Sequence, residues 1–438
     1  MDEATALTLQ RLRSGALAGT TRLRLTGGLS ALPPEVFELA DSLEVLDLSG
    51  NAMSELPADL SRLRRLRILF CSDNRFTRLP EVLGECPQLE MVGFKNNVIR
   101  EVSAAALPPR LRWLILTGNA IAGLPDALGQ RPRLQKLMLG GNRLTRLPDS
   151  LAACDRLELL RIASNRFEEL PGWLLELPRL AWLAYAGNPV AEASEERAVQ
   201  SHPVPEIDWH RLQLHEVLGQ GASGVIHRAA WQDHGEVAVK LFKGEITSDG
   251  SPLSEMDACI AAGPHPALIA VRGRVSGHPA GTPGLLLGLV DRAFGNLAGP
   301  PSFGSCTRDV YAPDVRFTWP GLLAVAGGMA SAVAQLHARG ILHGDLYAHN
   351  ILWNGSERAL LGDFGAASFF GPDSAEAAAL QRIEARAFGC LLEELLERCD
   401  DAPGQPGRPA IERLKADCLA PDPRQRPGFE AIAAALRS

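Results

Sequence analysis

From about residue 20 to residue 190 the chain repeats a single apolar frame. Leu43, Leu46, Leu48, Asn51, Met53, Leu56-Pro57, Leu60 and Leu63 set it out, and it returns as Leu134, Leu137, Leu139, Asn142, Leu144, Leu147-Pro148 and Leu151. Asparagine marks the register at 51, 74, 97, 119, 142, 165 and 188, at intervals of 23, 23, 22, 23, 23 and 23 residues. Counting back 23 from Asn51 reaches Gly28, behind Leu23 and Leu25, so a degenerate first turn makes eight. Leu-x-Leu alternation predicts a short strand with one buried face, and stacked repeats pair such strands into a parallel sheet on a concave wall. An asparagine at the strand exit can bond the backbone of the turn, while the Leu-Pro half returns along the convex side. One repeat cannot bury its own leucines; a stack can. After Asn97 the frame slips, with Val102-Ser103 in place of Leu-Pro and a late Pro108-Pro109, which predicts a local irregularity.

The period stops at Asn188-Pro189, and residues 191–206 carry small, charged and proline residues, the composition of a linker or of a terminal cap followed by a linker. The chain therefore divides into a solenoid over 1–190, with an N-terminal cap over about 1–20, the linker, and a second domain over 207–438. In that domain Leu212–Leu218 reads as a strand entering Gly219-Gln220-Gly221-Ala222-Ser223-Gly224-Val225. No helical pattern follows the glycines. Val225–Trp231, a polar turn and Glu236–Phe242 read instead as a hairpin. Further on, Ala324–Leu336 has the spacing of a buried helix. Net charge is −7 with no basic block, which argues against a nucleic-acid partner. No uninterrupted apolar run approaches membrane-spanning length, and the acidic Met1-Asp2-Glu3 start is unlike a signal peptide. The eight cysteines form no Cys-x-x-Cys pair, so they read as reduced thiols of a cytoplasmic protein.

Over about residues 20–190 the frame resembles the leucine-rich repeat family. The second domain carries a different set of motifs. The glycine loop is followed by Val237-Ala238-Val239-Lys240, then His343-Gly344-Asp345-Leu346-Tyr347-Ala348-His349-Asn350 and Asp363-Phe364-Gly365. In order and spacing they resemble the glycine loop, strand lysine, catalytic loop and metal-binding triplet of protein kinases. Glu384–Gly389 and Asp422-Pro423-Arg424-Gln425-Arg426-Pro427 add two further signatures of that family. The implied fold class is an α/β leucine-rich repeat solenoid followed by an α+β bilobal protein-kinase-like domain. The implied activity is ATP- and Mg²⁺-dependent transfer of the γ-phosphoryl group to serine or threonine. By resemblance, Leu218 to Val225 and Ala238 enclose the nucleotide, Lys240 grips its phosphates and Glu255 pairs with Lys240. Asn350 and Asp363 hold Mg²⁺, Asp345 accepts the acceptor's proton, and the adenine lies against Leu285–Asp291.

Three departures from the family pattern matter. Gly344 stands where an arginine that reads activation-loop phosphate usually precedes the base, so activity independent of that phosphorylation is expected. Tyr347 replaces the lysine of serine/threonine kinases, and His349 is the candidate for the missing positive charge. No Ala-Pro-Glu follows Gly365, so the peptide-gripping platform is short or absent, and Ser368 and Ser374 are the nearest phosphorylatable serines. That keeps a small-molecule phosphotransferase of the aminoglycoside or choline kinase type open. A non-catalytic nucleotide-sensing scaffold is a further alternative. For the solenoid, a protein partner on the concave face is expected, with Arg112, Trp113, Arg161 and Trp182 as exposed candidate contacts.

Overall fold

In the computed structural model the described residues are 3–244, 246–247, 249–400 and 404–437; Met1 and Asp2 of the expected cap lie outside them. The chain packs as two units, residues 1–160 with 165–177, and residues 161–164 with 178–438.

Helix α1 (Glu3–Arg13) opens the first unit, with Leu9 and Leu12 buried, and Thr26 N–H donates to Thr5 Oγ1 at 3.2 Å. The repeat strands are β1 (Arg22–Arg24), β2 (Val45–Asp47), β3 (Ile68–Phe70), β4 (Met91–Gly93), β5 (Trp113–Ile115), β6 (Lys136–Met138), β7 (Leu159–Arg161) and β8 (Trp182–Ala184). Strands β1 to β6 pair in parallel with their central residues in line: Leu23, Leu46, Leu69, Val92, Leu114 and Leu137. The asparagines do what their position suggests. Asn142 Nδ2 donates to Leu116 O at 2.9 Å and Leu139 O at 2.8 Å, while its Oδ1 accepts Ile121 N–H at 3.1 Å. Each such side chain satisfies buried backbone groups of two turns, which a leucine could not do. On the other side, Pro80, Pro125, Pro148 and Pro171 sit in extended backbone and each opens a five-residue 3-10 segment. After Asn97 that segment shrinks to Ala104–Ala106 behind Ser103, the slip expected from the missing Leu-Pro.

The second unit takes in Arg161, β8 and everything beyond. Most of the segment read as a linker is helix α2 (Pro189–Ser201), begun by extended Asn188 and a proline at its first turn and continued by Ala, Glu and Arg. Next come β9 (Glu206–Asp208), β10 (Leu212–Gln220), β11 (Gly224–Trp231), β12 (Gly235–Phe242), α3 (Pro252–Ala262), β13 (Val271–Ser276) and β14 (Gly284–Gly288). They form a sheet in the order β10-β11-β12-β14-β13-β9, with β10, β11 and β12 an antiparallel meander. The remainder holds β15 (Gly295–Asn296), α4 (Trp319–Ala338), β16 (Ile341–Leu342), β17 (Ile351–Trp353), β18 (Ala359–Leu361), β19 (Ser368–Phe369), α5 (Ala377–Glu397), α6 (Arg408–Cys418) and α7 (Phe429–Ala435). Among the described residues α4 alone is long and apolar enough to cross a membrane; Leu322, Val325, Met329, Val333 and Leu336 bury its face in this unit.

Helix α5 carries a pH-sensitive group. Burial pushes the Glu394 carboxyl up to about 7, and the nearby Asp309 charge adds to this, against Arg308, Arg398 and a 3.1 Å hydrogen bond from Tyr311. The folded chain thus keeps a proton that the unfolded chain loses above about pH 4.5, so stability falls as pH rises from there to about 7. Glu394→Gln keeps an acceptor for Tyr311 and removes the charge. It is expected to gain about 2 kcal/mol over wild type at pH 8 and little at pH 5, read by thermal unfolding. A gain of equal size at both values would refute the assignment.

Candidate active site

Strands β10 and β11 close the glycine loop over a cleft of about 410 Å³, lined by all of Gly219 to Gly224 with Lys240, Asp249 and Asp363. Gly221 N–H donates to Gly224 O at 2.9 Å, and Lys243 Nζ to Gly221 O at 2.9 Å, so the loop is a short hydrogen-bonded turn. A side chain at Gly224 would run into the Leu241 carbonyl of paired β12, which explains that glycine. Leu218 is exposed, Val225 half-buried and Ala238 buried; all three lie on the sheet, outside the cleft lining. A separate cavity of about 740 Å³ is lined by residues of the span 123–171 and contains none of Lys240, Asp345, Asn350 and Asp363.

Lys240 comes from the middle of β12, opposite Ile226 and Leu285, and its ammonium pairs with Glu255. Glu255 sits in the first turn of α3, whose start is fixed by Pro252 and by Leu253 N–H donating to Ser251 Oγ at 3.2 Å. Burial works against the Lys240 charge, but the Glu255 carboxylate outweighs it and holds the pKa above its ordinary value.

The residues leading into Asp345 hang on one buried carboxylate. Glu384, 1% exposed on α5, accepts from His337 Nε2 at 2.7 Å, from His343 N–H at 3.2 Å and from Gly344 N–H at 2.7 Å. Burial pushes its pKa up, but the His337 and Gly344 donors win and hold it below the usual carboxylate range. His343 donates through Nε2 to Gly362 O at 2.9 Å, so its Nδ1 accepts Asp345 N–H at 3.3 Å. Asn350 Nδ2 donates to Asp345 Oδ2 at 2.8 Å and to Asp345 O at 2.9 Å. Gly362 N–H reaches Asn350 O at 2.9 Å, which brings Asp363 alongside, at φ 49° with Gly365 N–H on its Oδ1 at 3.0 Å. The structure thus pairs Asn350 with Asp345 and ties the residue before Asp363 to Asn350, while Asp363 shares the cleft with Lys240.

Gly344 is explained by its surroundings. Its φ is 73°, and a Cβ there would strike the carbonyls of Ala366 and Leu183. His349 is turned onto Asp309, whose Oδ1 lies 2.8 Å from Nδ1 and whose Oδ2 accepts His349 N–H at 2.9 Å. Burial lowers the His349 pKa, but Asp309 outweighs it and raises the value.

Two expected partner contacts are corrected. Arg161 and Trp182 are each 1% exposed, because both pack inside the second unit and not on an open face. Arg161 Nη1 donates to Gly344 O at 2.9 Å, Nε to Asp249 Oδ1 at 2.9 Å, and Nη2 to Asp345 Oδ1. Trp182 stacks on Tyr347 with centroids 4.2 Å apart and donates to Leu346 O at 3.2 Å. Ser368 is likewise unsuited to modification: it is fully buried, and its Oγ accepts the N–H groups of Tyr185 and Ala186. In the first unit Arg112 and Trp113 are half-buried, with the Lys136 ammonium 4.2 Å from the Trp113 ring. Sequence reasoning missed Asp309, Asp249 and the place of Arg161; the one local signal was a loop with no lysine or arginine beside Asp345.

Residues 212–386 match the family model described as protein tyrosine and serine/threonine kinase, and residues 132–190 and 42–63 match leucine-rich repeat models. A probable leucine-rich repeat receptor-like protein kinase from Arabidopsis thaliana is 28% identical over 153 residues, 34% of this chain and 18% of that protein. A serine/threonine-protein kinase from Streptomyces coelicolor is 29% identical over 170 residues, 36% of this chain and 37% of its own length. A PH domain leucine-rich repeat-containing protein phosphatase from Homo sapiens is 34% identical over 92 residues, 21% of this chain and 5% of that protein. The chain thus spans well under half the length of each of these relatives.

Proposed function

From a chain that joins leucine-rich repeats to a eukaryotic-like serine/threonine kinase domain, we propose that it transfers the γ-phosphoryl group of ATP to serine or threonine hydroxyls of proteins. The observation that carries this reading is the Lys240–Glu255 pair, whose lysine lines the cleft under the glycine loop together with Asp363. The donor set suits Mg²⁺. Asn350 commits its amide nitrogen to Asp345, which leaves its oxygen, with the Asp363 carboxylate, as two hard ligands for an ion that arrives largely bound to phosphates. Bound there, magnesium would supply charge neutralisation of the phosphates. Lys240 would hold the phosphates under the backbone N–H groups of the loop, and Asp345 would orient the acceptor hydroxyl and take its proton. We further propose that the repeats bind a protein partner through the half-buried Arg112 and Trp113 with exposed Arg67. A cytoplasmic location fits eight free cysteines, seven of them buried.

The test is transfer of label from γ-labelled ATP to casein and to a cell lysate, with Lys240→Met protein as the blank. Label on phosphoserine or phosphothreonine above the blank is expected. Label only on aminoglycosides or choline would shift the reading to a small-molecule phosphotransferase, and none on any acceptor would shift it to a scaffold.

A further inference from the structure

Arg161 is the last residue of β7, but its side chain is enclosed by the second unit and commits three nitrogens there. The acceptors are Asp249 Oδ1, Gly344 O and Asp345 Oδ1. The catalytic loop has no cation of its own at the carboxylate: Gly344 precedes Asp345, Tyr347 follows it, and His349 faces Asp309. The Asp345 carboxylate is thereby gripped at both oxygens, Oδ1 by Arg161 and Oδ2 by Asn350. Its side chain still keeps 16% of its surface open.

Resting on the reading of Asp345 as the proton acceptor, we infer that Arg161 is a positioning residue for phosphoryl transfer: a repeat strand supplies the guanidinium that orients the catalytic carboxylate. The planar fork suits the task, since Nη1 on the Gly344 carbonyl and Nη2 on Asp345 fix the carboxylate relative to its own backbone.

The opposite possibility is a plug that must leave before catalysis. The surroundings count against it. Trp182 and Tyr185 are each 1% exposed, and the Tyr185 hydroxyl donates to Phe369 O at 3.0 Å. Ser368 beneath them is fully buried. Withdrawing the fork would strip Asp345 and Asp249 of their cation and break these dry contacts together, a costly step for a reversible device.

The experiment compares full-length wild type, Arg161→Gln and Arg161→Lys in steady-state transfer to the acceptor labelled by wild type, casein in the first instance. Binding of a fluorescent ATP analogue is measured in parallel. For Arg161→Gln, kcat is expected to fall about 10- to 100-fold with KM for ATP and analogue affinity within about 3-fold, because the residue acts on the base and not on the phosphates. Arg161→Lys keeps the charge but loses the fork, so its kcat should lie between the two. A kcat equal to wild type in Arg161→Gln overturns the inference, and a higher one identifies Arg161 as the plug. If Arg161→Gln has lost analogue binding, Arg161→Lys decides alone: a several-fold lower kcat at unchanged KM supports positioning, and an unchanged or raised kcat overturns it. Absence of transfer by wild type itself would instead sink the kinase reading, so the two failures are told apart.

Discussion

Glu384→Ala should cost the second unit about 4 kcal/mol of stability, a large part of what holds a typical domain folded. The carboxylate is 1% exposed and is the shared acceptor of three donors, His337 Nε2, His343 N–H and Gly344 N–H. Truncation leaves those donors buried without their acceptor and opens a void. The effect should not stop at stability. His343 and Gly344 are the two residues that carry the backbone into Asp345, so that carboxylate loses its footing as well. Urea unfolding followed by a probe of the second unit would measure the first effect, and labelled transfer in the absence of urea the second. Glu384→Gln should be less damaging, since one amide oxygen still accepts, but its NH₂ group must then face a donor. If Glu384→Ala unfolded within about 1 kcal/mol of wild type, the loop would be held by something other than this anchor.

The contrast between what could be read from the chain and what could not has a physical basis. A period of 23 residues records a contact each turn makes with the next, so Asn51 to Asn188 announced the stacked strands, and Asn142 bridges two turns as expected. The glycine loop, the hairpin and the order of Lys240, Asp345, Asn350 and Asp363 are likewise local or motif-borne, and the structure pairs Asn350 with Asp345 and sets Asp363 in the cleft with Lys240. Burial at the last repeats was not legible. The strand pattern says only that Arg161 and Trp182 point away from the leucine core, and it is silent on what covers that face. The covering residues lie more than 160 positions further on, at Gly344, Asp345, Leu346 and Tyr347. Glycine at 344 looked like a lost arginine, whereas its positive φ and the two carbonyls around it leave no room for any side chain. The setting of His349 was hidden for the same reason: its partner, Asp309, is forty residues away in sequence and carries no motif.

Lys240→Met should lower kcat/KM for ATP at least about 100-fold, equivalent to about 2.7 kcal/mol of transition-state stabilisation. The residue is mostly buried, it lines the cleft with Asp363, and among the described residues its salt-bridge partner is Glu255. Methionine matches the length of the stem while removing the charge, so the ammonium's contact with the Phe242 ring is lost but the volume is kept. The variant also leaves Glu255 facing a void of positive charge at 2% exposure. A carboxylate so placed takes up a proton rather than stay ionised, which spares the fold but ends its ability to aim anything. Glu255→Gln alone should cost about 10-fold, because the ammonium remains but is no longer steered. The decisive variant is the double one. Where a carboxylate acts only by placing an amine, removing it from a protein that already lacks the amine changes nothing further. Lys240→Met/Glu255→Gln is therefore expected at the level of Lys240→Met, measured as kcat/KM with ATP as the varied substrate. Losses that multiplied would show the two side chains acting on the nucleotide independently, and the pairing across the cleft would then be a feature of the fold without a part in transfer.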